Sequence, residues 1–95
     1  MRLQMTEVYR DWIFALNDRA ARARIQVRVD RLAHGNPGQH RNLTHGVSEL
    51  KIDVGPGYRV YYTERGGELI ILLAGGDKSS QKQDIKTAIA LAENL

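Results

Sequence analysis

The spacing of apolar residues divides the chain into a helical first half and a strand-rich second half. Leu3 and Met5 alternate with polar neighbours, which predicts a short N-terminal strand. Two helices are predicted next, separated by a break and a capping residue at Asn17 and Asp18. The second helix, from about Arg19 to His34, carries a core-facing seam at helical spacing: Ala21, Ile25, Val29 and Leu32.

The second half of the chain has the period of two that is typical of strands. Residues 35–46 are rich in Gly, Asn and His and are predicted to form a surface loop. Apolar residues then alternate with polar or charged ones in residues 49–54, and residues 58–64 form the next predicted strand. The side chains expected on exposed strand faces include Glu49, Lys51 and Arg59.

The remaining residues complete a sheet and add a helix. Gly66-Gly67 is a hairpin-turn signal, and residues 69–74 are continuously apolar, as in a central strand covered on both faces. A last helix is predicted to open with a capping box at Ser80 and Gln83. The element order predicts an α+β fold with an N-terminal strand, a two-helix hairpin, a three-stranded antiparallel meander and a C-terminal helix. Residues 1–95 are too few for two cores, so we expect one domain.

Composition narrows the class of partner. The formal net charge of +3 at pH 7 favours an anionic partner, because Lys and Arg gain by displacing counterions from phosphates. The absence of cysteine excludes disulfides and thiolate metal sites. The N-terminus lacks the pattern of a signal peptide, and no stretch reaches membrane-spanning length. We therefore expect a cytoplasmic protein with no membrane partner.

Several common catalytic motifs are missing. Three histidines lie in or beside the polar loop: His34, His40 and His45. They lack the spacing of common zinc sites, so no metal is predicted. Ser48 is not in a nucleophile elbow, and Gly75-Gly76 lacks the Gly-Lys-Ser/Thr order of a phosphate-binding loop. No cofactor is predicted either.

Two groups of cations remain as candidates for contacts with an anion. The first lies beside the apolar seam of the second helix and consists of Arg24, Arg28 and Arg31. A solvated helix face is its ordinary interpretation, with docking to RNA or an acidic partner as the alternative. The second group consists of Lys51, Arg59 and Lys78. If adjacent strands bring these together, they can either form a basic sheet face or serve RNA cleavage.

RNA cleavage without a metal has requirements that such a cluster can meet. Attack by the 2′-hydroxyl needs a base at that hydroxyl, positive charge at the phosphorane-like transition state and an acid at the departing 5′-oxygen. Cationic side chains supply the positive charge at the transition state directly.

Two runs of sequence, Gly46 to Tyr62 and Leu73 to Ile85, resemble the RelE/ParE toxin superfamily, and in particular its HigB-like branch of addiction module killer proteins. The predicted element order agrees with that family over nearly the whole chain. The resemblance implies a bacterial type II toxin that is held inactive by an antitoxin, often a helix-turn-helix protein. It also implies cleavage of mRNA in the ribosomal decoding site.

The resemblance also implies roles for individual residues. Arg59 is assigned to clamping phosphate, Lys78 to the charge of the transition state, and Lys51 or Glu49 to proton transfer. Tyr61 lies on the same strand face as Arg59, where it is expected either to stack on a base or to pack in the sheet. Relatives commonly carry a tyrosine or histidine near the C-terminus as an acid or base, and this chain has neither after Tyr62.

The same resemblance leaves other functions open. A ParE-like protein poisons DNA gyrase and cleaves nothing itself, so it needs no basic trio. A third possibility is an enzymatically silent protein that only binds its antitoxin. Because the basic trio is complete in this sequence, we favour the endoribonuclease.

Overall fold

A computed structural model describes all 95 residues of the chain. A five-stranded sheet carries helices on both faces, which confirms the predicted α+β class. In chain order the elements are β1 (Arg2–Met5), α1 (Glu7–Ala15), α2 (Arg19–Ala33), β2 (His40–Asn42), β3 (Val47–Ile52), β4 (Tyr58–Arg65), β5 (Leu69–Gly76), a 3₁₀ turn (Lys78–Ser80) and α3 (Gln81–Glu93).

The strand order across the sheet is β1-β5-β4-β3-β2. β1 pairs with β5 in parallel, and the other neighbours are antiparallel. β5 therefore lies between β1 and β4, with a strand on each side. This confirms the prediction of a central strand from its unbroken apolar sequence. The sheet ends at β1 on one side and at β2 on the other.

Local sequence signals determine the two N-terminal helices. The Thr6 hydroxyl accepts a hydrogen bond from the backbone of Tyr9, and Asp18 accepts one from the backbone of Ala21 at 3.0 Å. These side chains satisfy amides that a helix N-terminus leaves without partners. All four residues of the predicted α2 seam are buried against the sheet. The prediction for this helix is confirmed.

α3 covers the opposite face of the sheet. The apolar cluster there includes Tyr61, Leu73, Ala88 and Ala92. The predicted capping box at Ser80 and Gln83 is wrong. A capping box is instead present one turn earlier, between Asp77 and Ser80, and Ser80 donates a hydrogen bond to Asp84 at 2.5 Å.

The loop predicted for residues 35–46 contains an additional strand, β2. Its residues His40, Arg41 and Asn42 are all exposed and have no apolar alternation that would indicate a strand. Backbone pairing with β3 forms this strand. At this edge the sheet therefore has one strand more than the predicted three-stranded meander.

Two adjacent glycines at the end of β5 allow both helical layers to approach the sheet. A Cβ atom at Gly75 would overlap the indole ring of Trp12, which packs from α1. A Cβ atom at Gly76 would overlap the carboxylate of Asp84 and lie 2.7 Å from the Ser80 hydroxyl. Hydrogen is the only side chain that fits at either position without a shift of the neighbours. None of the helices has the length and apolar character needed to cross a membrane.

Candidate functional site

The face of the sheet beneath α3 carries the polar residues that the sequence singled out. Glu49 and Arg59 are only 3% and 4% exposed, so the prediction that both lie on exposed strand faces is wrong. The reason is that α3 and the 3₁₀ turn pack across this face. Alternation along a strand identifies which side chains share a face, but it does not show whether a helix covers that face.

A polar cleft opens on this face where α3 begins. It has a volume of about 410 Å³ and no apolar residue in its lining. β2 and the residue before it, β3, β4 and the start of α3 contribute the lining residues: Gln39, His40, Arg41, Glu49, Lys51, Arg59 and Gln81.

The strand register determines the arrangement of the cleft. Lys51 lies opposite Arg59 in the pairing of β3 with β4, and Arg41 lies opposite Glu49 in the pairing of β2 with β3. Residues directly opposite each other on antiparallel strands point to the same side of the sheet. The cleft therefore places the cations of β2, β3 and β4 around one carboxylate.

Glu49 is the centre of the hydrogen-bond network in the cleft. Its Oε1 accepts a hydrogen bond from Nε of Arg41 at 3.0 Å, and its Oε2 accepts one from Nε2 of Gln81 at 3.0 Å. Nε of Arg59 lies 3.9 Å from Oε1. Burial opposes ionisation of this carboxyl, but the hydrogen bonds from Gln81 and Arg41 and the charge of Arg41 outweigh it and lower the pKa of Glu49. Glu49 is therefore an ionised acceptor at neutral pH.

The Arg59 guanidinium is held by the backbone as well as by Glu49. Its Nη1 donates to the carbonyls of Gly57 at 3.0 Å and Tyr58 at 3.3 Å, while its buried Nε makes no hydrogen bond. Its Nη2 is the terminal nitrogen without a protein partner in the hydrogen-bond network. The side chain is fixed in direction, with one donor group left for an anion.

The side chain of Lys78 lies near the same turn, at Gly57. A Cβ atom at Gly57 would lie 3.3 Å from Nη1 of Arg59 and 3.9 Å from Cβ and Cδ of Lys78. Lys78 is exposed and does not itself line the cleft. The basic trio thus consists of one buried cation, Arg59, the half-buried Lys51 beside it, and the exposed Lys78 near Gly57.

Tyr61 is fully buried, so the expectation that it stacks on an RNA base is wrong in this conformation. Its ring packs beneath α3 in the apolar cluster, and its hydroxyl makes no hydrogen bond. Burial, together with the negative charge of Glu49, raises the pKa of Tyr61. Sheet packing, the other interpretation of this residue, matches its position.

The arginines of α2 divide into two kinds. Arg28 donates to the carbonyls of Lys51 at 2.7 Å, Gln39 at 2.8 Å and Pro37 at 3.1 Å. It therefore ties the segment before β2 to the end of β3. Both of its terminal nitrogens are bound to the protein, so Arg28 fits neither the solvated helix face nor the alternative of docking to RNA. Arg24 and Arg31 are exposed and have no such contacts.

Comparison with known proteins identifies the family. The profile of the family described as Phage derived protein Gp49-like (DUF891) matches residues 11–95. The chain belongs to this Gp49-like family. It is also 43% identical over 95 residues to an uncharacterized protein of Haemophilus influenzae, with 100% of this chain and 96% of the relative covered. The Gp49-like family is toxin–antitoxin-associated and related to RelE-like toxins.

Sequence reasoning did not place four residues of the Gp49-like cleft in the site: Gln39, His40, Arg41 and Gln81. Arg41 and Gln81 are the two that bind Glu49. Arg41 lies within the stretch assigned to a loop, and Gln81 lies in the first turn of the predicted last helix, whose docking site the sequence does not show. Only the pairing of β2 with β3 and the docking of α3 bring them to Glu49.

The three histidines do not assemble a site, since no group of three or more His, Cys, Asp or Glu side chains is placed to hold a metal ion.

The lowered pKa of Glu49 makes the stability of the Gp49-like chain sensitive to acid. Its ordinary value is 4.5, and a carboxyl with a lower pKa in the folded state stabilises that state above the ordinary value. This contribution disappears as the pH falls through the folded-state pKa. We expect Glu49→Gln to flatten the acid side of a plot of unfolding free energy against pH, as measured by urea unfolding. Glu7→Gln is the matched control because Glu7 is exposed on α1, and curves of equal slope for wild type and Glu49→Gln would contradict the prediction.

Proposed function

We propose that this Gp49-like chain is the toxin of a type II toxin–antitoxin system and cleaves mRNA on the ribosome, as expected of the HigB-like branch. The observation that supports this is the polar cleft, in which Lys51 and Arg59 lie side by side around a buried carboxylate. A fixed cluster of cations in a partly enclosed cleft suits a reaction that develops negative charge on a phosphate. A helix-turn-helix antitoxin is the proposed partner that keeps the toxin inactive.

The proposed reaction is attack of the RNA 2′-hydroxyl oxygen on the adjacent phosphorus. A bond from that oxygen to phosphorus forms, the bond from phosphorus to the 5′-oxygen breaks, and a cyclic phosphate remains on the upstream fragment. Nη2 of Arg59 and the ammonium of Lys78 stabilise the charge on the phosphate oxygens. Lys51 donates a proton to the departing 5′-oxygen, and the proton of the 2′-hydroxyl passes to water in the cleft.

Glu49 has a positioning role in this proposal and does not transfer a proton. Both of its oxygens are occupied as hydrogen-bond acceptors, and its lowered pKa makes it a weak base as well as leaving it no proton to donate at neutral pH. Of the two residues considered for proton transfer, Lys51 is therefore favoured. Glu49 instead fixes the direction of Arg59 and Arg41.

The deciding experiment maps transcript ends and DNA breaks after induction of the chain. We expect new 5′ ends within messages on translating ribosomes and intact DNA. The double variant Lys51→Ala/Arg59→Ala, expressed at the same level, is expected to produce neither the new ends nor growth arrest. Intact messages with broken DNA would establish a ParE-like gyrase poison instead, and intact messages with intact DNA would indicate a silent antitoxin-binding protein.

Arg41 is a further phosphate-binding residue under this proposal. It is bound to Glu49 only through Nε, its side chain is 58% exposed, and both terminal nitrogens are free for a bidentate contact. We expect Arg41→Ala to weaken binding of a labelled single-stranded RNA about tenfold and to lower the salt slope of binding by about one. Fluorescence anisotropy at several salt concentrations measures both quantities.

The control for Arg41 is Arg10→Ala. Arg10 is an exposed arginine of α1 outside the cleft, so its removal changes the net charge equally without removing a cleft contact. Equal losses of affinity in the two variants would show that Arg41 acts only through net charge.

A further inference from the structure

A second polar depression, the arginine groove, lies between α2 and the end of β3. It has a volume of about 270 Å³, and its lining includes Arg24, Val27, Arg28, Arg31, Gln39 and Asp53. Gln39 also lines the polar cleft, so the two depressions are adjacent and meet at this residue. A strand that leaves the cleft past Gln39 therefore enters the arginine groove.

Arg28 joins the arginine groove to the cleft. Its guanidinium binds the backbone carbonyls of Gln39 and Lys51, two residues that line the cleft. The third carbonyl that it binds is that of Pro37. The boundary between the two surfaces is therefore fixed, and Arg28 adds positive charge there while its terminal nitrogens stay bound to the protein.

Arg24 and Arg31 supply the free donors of the arginine groove. They lie four positions before Arg28 and three positions after it on α2, so the three side chains share one face of the helix. Both are exposed, and neither has the contacts that hold Arg28. Burial and, after it, the charge of Arg31 lower the pKa of Arg28, because both disfavour its charged form. The groove thus gathers like charges that the protein leaves available to an anion.

The lining of the arginine groove favours a nucleic-acid strand as its occupant. Three arginines and one carboxylate, that of Asp53, give it a net positive charge. Val27, which is 44% exposed, lies among the arginines. Bases pack on apolar side chains while phosphates bind guanidinium groups, so this combination matches the alternation of base and phosphate along a single strand. An acidic peptide matches the charge alone, whereas a strand held in the cleft continues into this groove across Gln39.

We propose that the arginine groove binds the same RNA strand that occupies the cleft, at phosphates outside the nucleotides that react. This inference rests on RNA as the substrate in the proposed function, and it extends the binding site from the cleft to a longer track around the edge of the sheet. Arg24 and Arg31 are about 10 Å apart along the helix axis, since a helix rises about 1.5 Å per residue. They therefore contact different phosphates of the strand.

The test compares short and long RNA by fluorescence anisotropy. Labelled 2′-O-methyl oligouridylates of about three and about ten nucleotides bind without being cleaved, because the attacking hydroxyl is blocked. We expect Arg24→Ala/Arg31→Ala to weaken binding of the long RNA about tenfold. Its salt slope is expected to fall by about 1.4, since each of two phosphate contacts on a single strand contributes about 0.7. The short RNA fills only the cleft and is expected to bind within about twofold of its wild-type affinity.

Arg2→Ala/Arg10→Ala is the matched control. Both residues are exposed and lie outside the cleft and the arginine groove, so this variant loses the same charge without losing a groove contact. An equal loss for the long RNA in the two double variants, or an equal loss for short and long RNA in Arg24→Ala/Arg31→Ala, would overturn the proposal. A thermal melt verifies that each variant is folded.

Failure of this inference is distinguishable from failure of the proposed function. If wild type binds both RNAs and Arg24→Ala/Arg31→Ala binds the long RNA equally well, the arginine groove has no role, while RNA binding by the cleft stands. If wild type binds neither RNA, the RNA-based function and this inference are overturned together.

Cross-linking on ribosomes distinguishes the message from ribosomal RNA as the occupant. A message with 4-thiouridine beside the codon in the decoding site is expected to cross-link to α2 or to Gln39, and Arg24→Ala/Arg31→Ala is expected to lose that cross-link. Cross-links from α2 to ribosomal RNA alone would overturn the proposal, because the groove would then bind the ribosome and leave the substrate strand free.

Discussion

Gly75→Ala is expected to destabilise the protein by about 3 kcal/mol and to lower its melting temperature by about 10–20 °C. The added Cβ overlaps the ring of Trp12, which packs against Tyr9 and Tyr58 at centroid distances of 5.8 and 6.4 Å. Movement of the indole therefore disturbs the apolar cluster between the sheet and α1. Thermal and urea unfolding measure the change.

A double-mutant cycle with Trp12→Ala separates this clash from a general effect of alanine in β5. In the Trp12→Ala background the space beside Gly75 is open, so Gly75→Ala should cost much less than it does in the wild type. The same cost in both backgrounds would show that the indole is not responsible. The comparison stays informative if Trp12→Ala is itself destabilising, since only the difference between backgrounds is used.

Local signals in the sequence predicted most of the fold. The apolar seam of α2 and the cap at Asp18 depend on residues a few positions apart, and both are confirmed. Gly66 and Gly67 both adopt the positive φ angles that the predicted hairpin turn requires. β2 was missed because its residues are all exposed and acquire strand structure only by pairing with β3.

The candidate site was less predictable because α3 completes it. The hairpin of β3 and β4 places Lys51 beside Arg59, whereas strand alternation placed each residue on a strand face and left their alignment open. The burial of Glu49 and Arg59 depends on the docking of a helix that follows them by more than 20 residues. Charges alternate along a strand in the same way whether a helix covers the charged face or solvent does. Periodicity therefore could not show that Glu49 is the buried centre of a hydrogen-bond network.

Arg59→Lys is expected to slow single-turnover cleavage of ribosome-bound mRNA by about 100-fold. Lysine retains the positive charge beside Glu49, but its three donors radiate from one nitrogen. An ammonium held by the carbonyls of Gly57 and Tyr58 therefore cannot place a donor at the position of Nη2 of Arg59. Because the formal charge is unchanged, the loss in cleavage rate measures how much the fixed orientation of the guanidinium contributes. The cleavage rate is followed by primer extension with saturating protein.

Arg10→Lys provides the matched control, because it makes the same exchange on the exposed surface of α1 and is expected to cleave at the wild-type rate. Circular dichroism at the assay temperature establishes that Arg59→Lys remains folded, since a buried exchange also carries a risk of destabilisation. A folded Arg59→Lys variant that retains a rate within about threefold of wild type would remove Arg59 from the phosphate-binding role. Lys51 and Lys78 would then have to stabilise the transition state without a fixed guanidinium, and Glu49 would be a structural ion-pair partner only.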